Sequence, residues 1–278
     1  MRIIDTYADI VSLLNGMDAH FETGPWEKYV RHISDGLLKK IKEDSNRYHF
    51  DNEILPVIRF AMNNMEKIKT AHHSFLAVIE GLEGKIKEIT GTELQVDIVF
   101  YLGLCNGAGW ATKLNGRRVI LLGIEKIVEL DWCDAGNMAS LIYHELGHIW
   151  HDTVGAPYQE TNSMREKYVS QLYQEGVAMY LEQLLAGDLT HYHQNTGNWL
   201  DWCYTNKHEV DAEYLRRLQA NESAQDFFGD WCDYKGYSDV GYFIGCEFVK
   251  YIAKEHSLNE LANLDIATVY KKFAEYIV

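Results

Sequence analysis

The stretch that organises the chain is Tyr143-His144-Glu145-Leu146-Gly147-His148-Ile149-Trp150, an H-E-x-x-H pattern inside an apolar run. On an α-helix, residues four apart lie on one face, one turn above the other. His144 and His148 can therefore both direct a ring nitrogen at one zinc ion, at roughly 2.0–2.1 Å. Glu145 lies beside them and can reach a metal-bound water as general base. The pattern predicts a zinc site with a catalytic carboxylate.

The pattern predicts a helix over about residues 135–152, which Asp134 can cap. Apolar residues on either side of the ligand face predict that the helix is buried. A buried imidazole without a partner is costly, and a bound metal would satisfy both histidines. The flanking apolar residues are Leu141, Ile142, Leu146 and Ile149.

A third ligand is predicted on a second helix, over about residues 165–185. Glu175 lies 27 positions after His148 (175 − 148) in an otherwise apolar stretch, where a carboxylate normally has a cation or metal partner. The small residues Gly176 and Ala178 allow this helix to approach a neighbour closely. Two alternatives remain: Glu182 two turns further on, or a solvent-facing glutamate at 175.

His151 follows His148 by three residues on the same predicted helix. The longer pattern H-E-x-x-H-x-x-G-x-x-H would need Gly at 151 and His at 154, and the chain has His151 and Val154 there. That subclass of metallopeptidase is excluded. A supporting or structural role is predicted for His151, because the next helical turn lies too far along the axis for ligation.

The segment before the motif helix changes from helical to strand periodicity. Apolar residues alternate from Leu94 to Leu102, which predicts a half-buried strand. Asn115-Gly116 is a pair favoured in tight hairpin turns, and an apolar return strand follows. Two or three strands, as an antiparallel hairpin, are therefore predicted. The stretch Gly107-Ala108-Gly109-Trp110-Ala111 is either a strand edge that binds an extended peptide or a glycine-rich bulge or loop.

Composition bounds the class of protein. The 278 residues carry a net charge of −15, which repels phosphate backbones and anionic membranes, so neither nucleic acid nor membrane is an expected partner. The N-terminus has no apolar segment of signal-peptide type. The five cysteines form no C-x-x-C pair, which predicts packed thiols in the cytoplasm.

The chain resembles the gluzincin group of zinc metallopeptidases, in which H-E-x-x-H is followed by a glutamate on a downstream helix. More narrowly, it resembles a bacterial family of predicted zinc-dependent proteases of unknown physiological substrate. The motifs that carry this resemblance, over about residues 95–255, are His144-Glu145-Leu146-Gly147-His148, Glu175-Gly176-Val177-Ala178-Met179-Tyr180 and Gly241-Tyr242-Phe243-Ile244-Gly245.

The resemblance implies a mostly helical α+β, zincin-like fold with a small antiparallel sheet before the motif helix. Apolar residues at helical spacing predict a helical N-terminal region over residues 1–92, and residues 186–236 are predicted to be irregular. The resemblance then assigns residues 93–278 to the metallopeptidase domain. It also implies one Zn²⁺ held by His144, His148 and Glu175, with Glu145 as general base and proton shuttle.

The chain departs from this group in two respects. Thermolysin-like gluzincins carry an Asp four positions after the ligand glutamate to orient a histidine, and here that position is Met179. No counterpart of their transition-state histidine is evident. By analogy, Tyr242 or Tyr237 is the candidate phenol that donates to an oxyanion; packing is the alternative for each.

Three functional hypotheses follow. The first is a zinc-dependent peptidase acting on a peptide or protein substrate. The second is a zinc-containing binding or regulatory protein of the same fold without turnover. The third is a zinc-free helical interaction protein whose two histidines are satisfied within the core.

Overall fold

The computed structural model describes residues 1–17, 21–156, 161–229 and 231–277. They divide into two compact units, Met1–Glu145 and Leu146–Val278. The division falls inside the motif helix, so this continuous helix is described with both units. Part of the polar loop predicted to follow it, residues 157–160, lies outside the described residues.

The first unit combines helices with one four-stranded sheet. Its strands are β1 (Arg2–Asp5), β2 (Val96–Tyr101), β3 (Gly109–Leu114) and β4 (Arg117–Gly123). Its helices are α1 (Tyr7–Asn15), α2 (Thr23–Ile33), α3 (Asp35–Ser45), α4 (Leu55–Met62), α5 (Met65–Ile79), α6 (Leu82–Thr90), α7 (Ile124–Glu129) and the first half of α8 (Ala135–Val154). A π-helical turn, Phe50–Ile54, precedes α4.

The strand order is β1-β2-β4-β3, which leaves β3 at an edge of the sheet. β3 and β4 form the predicted antiparallel hairpin, in which Leu114 pairs with Arg117. The two residues between them, Asn115 and Gly116, both have positive φ, as a type I′ turn requires. The mostly helical α+β prediction is confirmed, and the hairpin precedes the motif helix as expected.

The sheet is mixed, however, because β2 pairs in parallel with both β1 and β4. The prediction that residues 1–92 are helical was wrong at the start of the chain: residues 2–5 form β1, since Ile3 and Ile4 pair with Ile98 and Val99. A segment of four residues is too short to show a clear periodicity, and its pairing with a neighbouring strand decides its secondary structure.

Strand β2 is buried along its whole length and not half-buried as predicted. Its one charged residue, Asp97, is 2 % exposed and accepts hydrogen bonds from Arg2 and Arg117. These two guanidinium groups hold the pKa of the Asp97 carboxyl below its usual range against the effect of burial. A strand with neighbours on both sides tolerates a polar residue only when its charge is paired in this way.

The second unit is helical. Beyond α8 it contains α9 (Met164–Ala186), α10 (Trp199–Ala220), α11 (Val240–Ile252), α12 (Leu258–Ala262) and α13 (Ile266–Ile277). The predicted bounds of α9, residues 165–185, agree with the observed ones to within one residue. The irregular segment predicted over 186–236 was wrong, because it contains the 22-residue α10. Only a narrow stripe of α10 is buried, so its polar faces concealed the helical period.

Helix α9 packs tightly against both α8 and α11. A Cβ built on Gly147 of α8 would lie 2.6 Å from the Cα of Ala178, and one on Gly245 of α11 would lie 2.4 Å from the carbonyl oxygen of Leu172. Gly176 faces Gly245 in the same way, 2.4 Å from its carbonyl oxygen. The small residues on α9 therefore allow the close helix approach that the sequence predicts.

No helix among the described residues is long and apolar enough to cross a membrane. No disulfide joins the described cysteines, and Cys133, Cys203 and Cys246 are buried.

The glycine contact between α9 and α11 predicts a stability effect. Gly245→Ala places a methyl group against helix backbone that cannot rotate away, so we expect the free energy of unfolding to fall by about 1–3 kcal/mol. Urea unfolding followed by tryptophan fluorescence measures it. The control is Gly84→Ala in α6, where a Cβ meets no atom within 4 Å. Here we expect the free energy of unfolding to rise by at most about 1 kcal/mol. Equal effects of the two substitutions would contradict the packing.

Candidate metal and catalytic site

Helix α8 presents the two motif histidines one turn apart. It begins where Asp134 Oδ1 accepts hydrogen bonds from the backbone N–H groups of Gly136 (2.8 Å) and Asn137 (3.1 Å), as predicted for its cap. His144 is 5 % exposed, so the helix carries this imidazole into the interior. The side chain of His148 is more open, at 23 %.

Glu175 of α9 lies beside this histidine pair. Its Oε2 is 3.2 Å from His148 Nε2. One ligand atom from each of His144, His148 and Glu175 lies within 4.8 Å of the others, so the group can hold a metal ion. The three residues predicted as ligands are thus brought together, whereas the solvent-facing alternative for Glu175 does not fit its 16 % side-chain exposure.

A second group of possible ligands shares His144 and adds Glu182 and His193, again within 4.8 Å of one another. Glu182 is completely buried, and His193 Nδ1 lies 2.9 and 3.1 Å from its two oxygens. His191 Nε2 lies 3.5 Å from Glu182 Oε1. The chain therefore offers two arrangements for one metal ion around His144.

His193 was missed by the sequence analysis, and Glu182 was only an alternative to Glu175. His193 belongs to a loop between α9 and α10 that has no periodicity. The available signal was the His-x-His pair at 191 and 193, nine and eleven positions after a glutamate on an apolar helix. Gln194 Nε2 lies 2.9 Å from His193 Nε2, which holds the ring with Nδ1 toward Glu182.

Glu145 is tied to the edge strand of the first unit. Its Oε2 accepts a hydrogen bond of 2.6 Å from the backbone N–H of Ala111. A Cβ on residue 109 would lie only 2.6 Å from Glu145 Oε1, so the close approach of the carboxylate requires glycine at position 109. At 8 % exposure the carboxylate is held in place by this strand.

The register of the hairpin shows which backbone groups of β3 point outward. Gly123 donates to the carbonyl of Ala108, and hydrogen-bonded pairs alternate along an antiparallel ladder. Given the pairing of Gly109 with Leu122, the N–H and C=O groups of Gly109, Ala111 and Lys113 point away from β4. The hydrogen bond from Ala111 to Glu145 agrees with this direction.

The predicted peptide-binding stretch divides between loop and strand. Gly107, with φ +130°, and Ala108 belong to the loop, while Gly109, Trp110 and Ala111 begin β3. The Lys40 ammonium lies 5.0 Å from the Trp110 ring centre. Both the edge and the loop predicted as alternatives are therefore present, one after the other.

A buried carboxylate fixes the course of the chain into that loop. Glu125 accepts hydrogen bonds from the backbone N–H groups of Gly103 (2.8 Å) and Cys105 (3.0 Å). Burial raises the pKa of Glu125, and these backbone donors oppose the rise.

The two candidate tyrosines have different surroundings. Tyr242, in the first turn of α11, has its ring 6.4 Å from that of His193 in an edge-on arrangement. Tyr237 stacks on Trp202 at 4.2 Å, and its hydroxyl accepts a hydrogen bond from Asn198. Of the two, only Tyr242 has a ring contact with a residue of a possible metal-ligand group among the described residues, and that residue is His193.

His151 is a buried structural residue and belongs to neither metal-ligand group in the described part of the chain. Burial, reinforced by the nearby His148, lowers its pKa to about 4, and a hydrogen bond to the carbonyl of Ala262 opposes the fall. The imidazole is therefore neutral at neutral pH.

This lowered pKa predicts a loss of stability in acid. The unfolded chain takes up the His151 proton below about pH 6.5, whereas the folded chain does so only near pH 4. The contribution of neutral His151 to the free energy of unfolding is therefore complete above pH 6.5 and is lost as the pH falls from 6.5 to 4. His151→Gln keeps a neutral donor for Ala262. In metal-free protein, we expect wild type to lose about 2 kcal/mol more than the variant between pH 7 and pH 5 in urea unfolding. Equal losses in the free energy of unfolding of wild type and variant would contradict the lowered pKa of His151.

Comparison of the chain with protein-family models, curated proteins and solved structures finds no match. The resemblance to gluzincins therefore remains a prediction from the motifs, and functional inference rests on the geometry of these side chains.

Proposed function

We propose that the protein is a zinc-dependent peptidase, with the ion held by His144, His148 and Glu175 and with Glu145 as general base. The observation that carries the proposal is the convergence of these three donors beside a carboxylate that the edge strand holds in place. Metal ligation by the two histidines does not require Glu145, so the fixed position of this carboxylate supports a catalytic role.

The donor set fits zinc. Two imidazoles and one carboxylate are ligands that zinc favours, and catalytic zinc sites keep three protein ligands with one open position. Ligands at roughly 2.0–2.2 Å in tetrahedral geometry are separated by about 3.4 Å. The 3.2 Å between His148 Nε2 and Glu175 Oε2 is close to that value.

When bound, zinc lowers the pKa of water to about 7 and polarises a substrate carbonyl. Glu145 then takes the proton of the attacking water and returns it to the leaving amine. The Ala111 N–H holds its carboxylate in a fixed direction, so little reorganisation is needed when the proton moves. Tyr242, the candidate phenol from the motifs, is the proposed donor to the oxyanion that forms.

An extended peptide is the proposed substrate. The outward backbone groups of Gly109 and the outward carbonyl of Ala111 form a strand edge that can pair with a peptide main chain, while the Ala111 N–H holds Glu145. Because Glu145 already contacts Ala111, a peptide on this edge would pass directly beside the general base.

Removal of the general base tests the mechanism. Glu145→Gln keeps the three ligands, so we expect one zinc per chain as in wild type but a fall in kcat of about 10²–10⁴-fold. Turnover of a quenched-fluorescence peptide library, with and without chelator, and metal analysis give the two readouts. Full activity of this variant would refute Glu145 as base. Wild-type protein that binds zinc but cleaves no library member would favour the binding protein instead.

Gly109 offers a subtler test of the same carboxylate. Gly109→Ala pushes a methyl group against Glu145 Oε1, and because misplacement of a catalytic group by about 1 Å can cost 10²-fold, we expect kcat to fall by about that factor. Zinc content should be unchanged. Gly24→Ala, where a Cβ meets no atom within 4 Å, is the control and should keep wild-type kcat. Unaltered turnover in Gly109→Ala would show that Glu145 does not act from this position.

A further inference from the structure

We propose that buried Glu182, with His193, is the positioning pair for His144: Glu182 accepts a hydrogen bond from the His144 ring nitrogen that faces away from the metal. The inference rests on the proposed zinc site and assigns the orienting carboxylate to a position that the motifs did not indicate.

His144 is common to both metal-ligand groups, and its chemistry decides how they relate. A neutral imidazole has one nitrogen with a lone pair and one that carries a proton. It can therefore ligate one ion only, and its N–H then needs an acceptor. Whichever group holds the ion, the carboxylate of the other is the acceptor that we assign to this N–H, because ligand atoms of His144 and Glu182 lie within 4.8 Å of each other.

Exposure decides which group holds the ion. The side chains of His148 and Glu175 are 23 % and 16 % exposed, which leaves access for water and substrate. Those of His193 and Glu182 are 10 % and 0 % exposed. A catalytic zinc keeps an open position for water and substrate, and the more exposed His148–Glu175 side provides it. The ion therefore belongs with Glu175, and Glu182 takes the orienting role.

The surroundings of Glu182 suit that role. A completely buried carboxylate requires polar partners, and His193 provides one at 2.9 Å. Gln194 holds the far side of the His193 ring and also lies 3.6 Å from the sulfur of Met179. A carboxylate fixed in this way sets the tautomer and ring orientation of the ligand histidine and raises its basicity.

Zinc affinity in the full-length protein tests the proposal without reference to activity. The variants are Glu182→Gln, which keeps a neutral acceptor, and Glu182→Leu, which removes it. Competition with a chromophoric chelator should show one zinc per chain, with Kd raised about 10–100-fold in Glu182→Gln and further in Glu182→Leu. The control is Glu213→Gln on α10, a glutamate paired with Arg216 and Arg217, which should keep wild-type Kd.

Two further measurements separate positioning from ligation and from general damage. His148→Ala with Glu175→Gln should abolish zinc binding, and the cobalt(II)-loaded Glu182→Gln protein should keep the visible absorption intensity of a site with unchanged ligands. Thermal unfolding of the metal-free variants identifies any that do not fold. The double variant Glu182→Gln with His193→Gln then serves as a second test, and its Kd for zinc should also rise.

The outcomes are distinguishable. If Glu182→Gln loses zinc while His148→Ala with Glu175→Gln retains it, Glu182 is a ligand and the proposal is overturned. If Glu182→Gln binds zinc as tightly as wild type, the positioning role fails while the proposed zinc site stands. Wild-type protein without zinc affinity would overturn the proposed function itself.

Discussion

The second unit depends on one constraint: two carboxylates on the same helix, Glu175 partly buried and Glu182 completely buried, must have imidazole partners. Glu175 and Glu182 are seven residues apart, two turns along one face of α9. His148 lies beside the first and His193 beside the second. A buried carboxylate is tolerated only with such partners, so α9 has to approach α8 closely. The contact of Gly147 with Ala178 permits this approach, and packing and site chemistry thus impose the same requirement.

The sequence predicted the parts of this arrangement that are local. The spacing of His144 and His148 follows from helical periodicity, and a glutamate inside an apolar stripe indicates a buried partner. His193 comes from a loop whose position is set by tertiary packing, so no periodic signal pointed to it. Strand β1 and helix α10 were missed for a related reason: the first exists because β2 accepts it, and the second buries only a narrow stripe.

The order of the sheet explains why Glu145 can contact a backbone amide. The parallel pairing of β4 with β2 leaves the hairpin partner β3 at the edge. The alternating ladder then turns the Ala111 N–H outward, away from β4. An outward N–H at a sheet edge requires an acceptor from elsewhere, and Glu145 supplies it. The hairpin turn at Asn115-Gly116, which the sequence predicts, fixes this register and so determines which amide reaches the carboxylate.

The short distance between His148 and Glu175 has two physical explanations, an ion pair or a pair of metal ligands. At 3.2 Å, the distance alone fits both. An ion pair uses one histidine and leaves the helical spacing of the other without a reason. A single ion uses the lone pairs of both histidines and the carboxylate, in agreement with the mutual distances of the three residues. Metal binding therefore accounts for three side chains with one interaction, and for that reason we propose it over an ion pair.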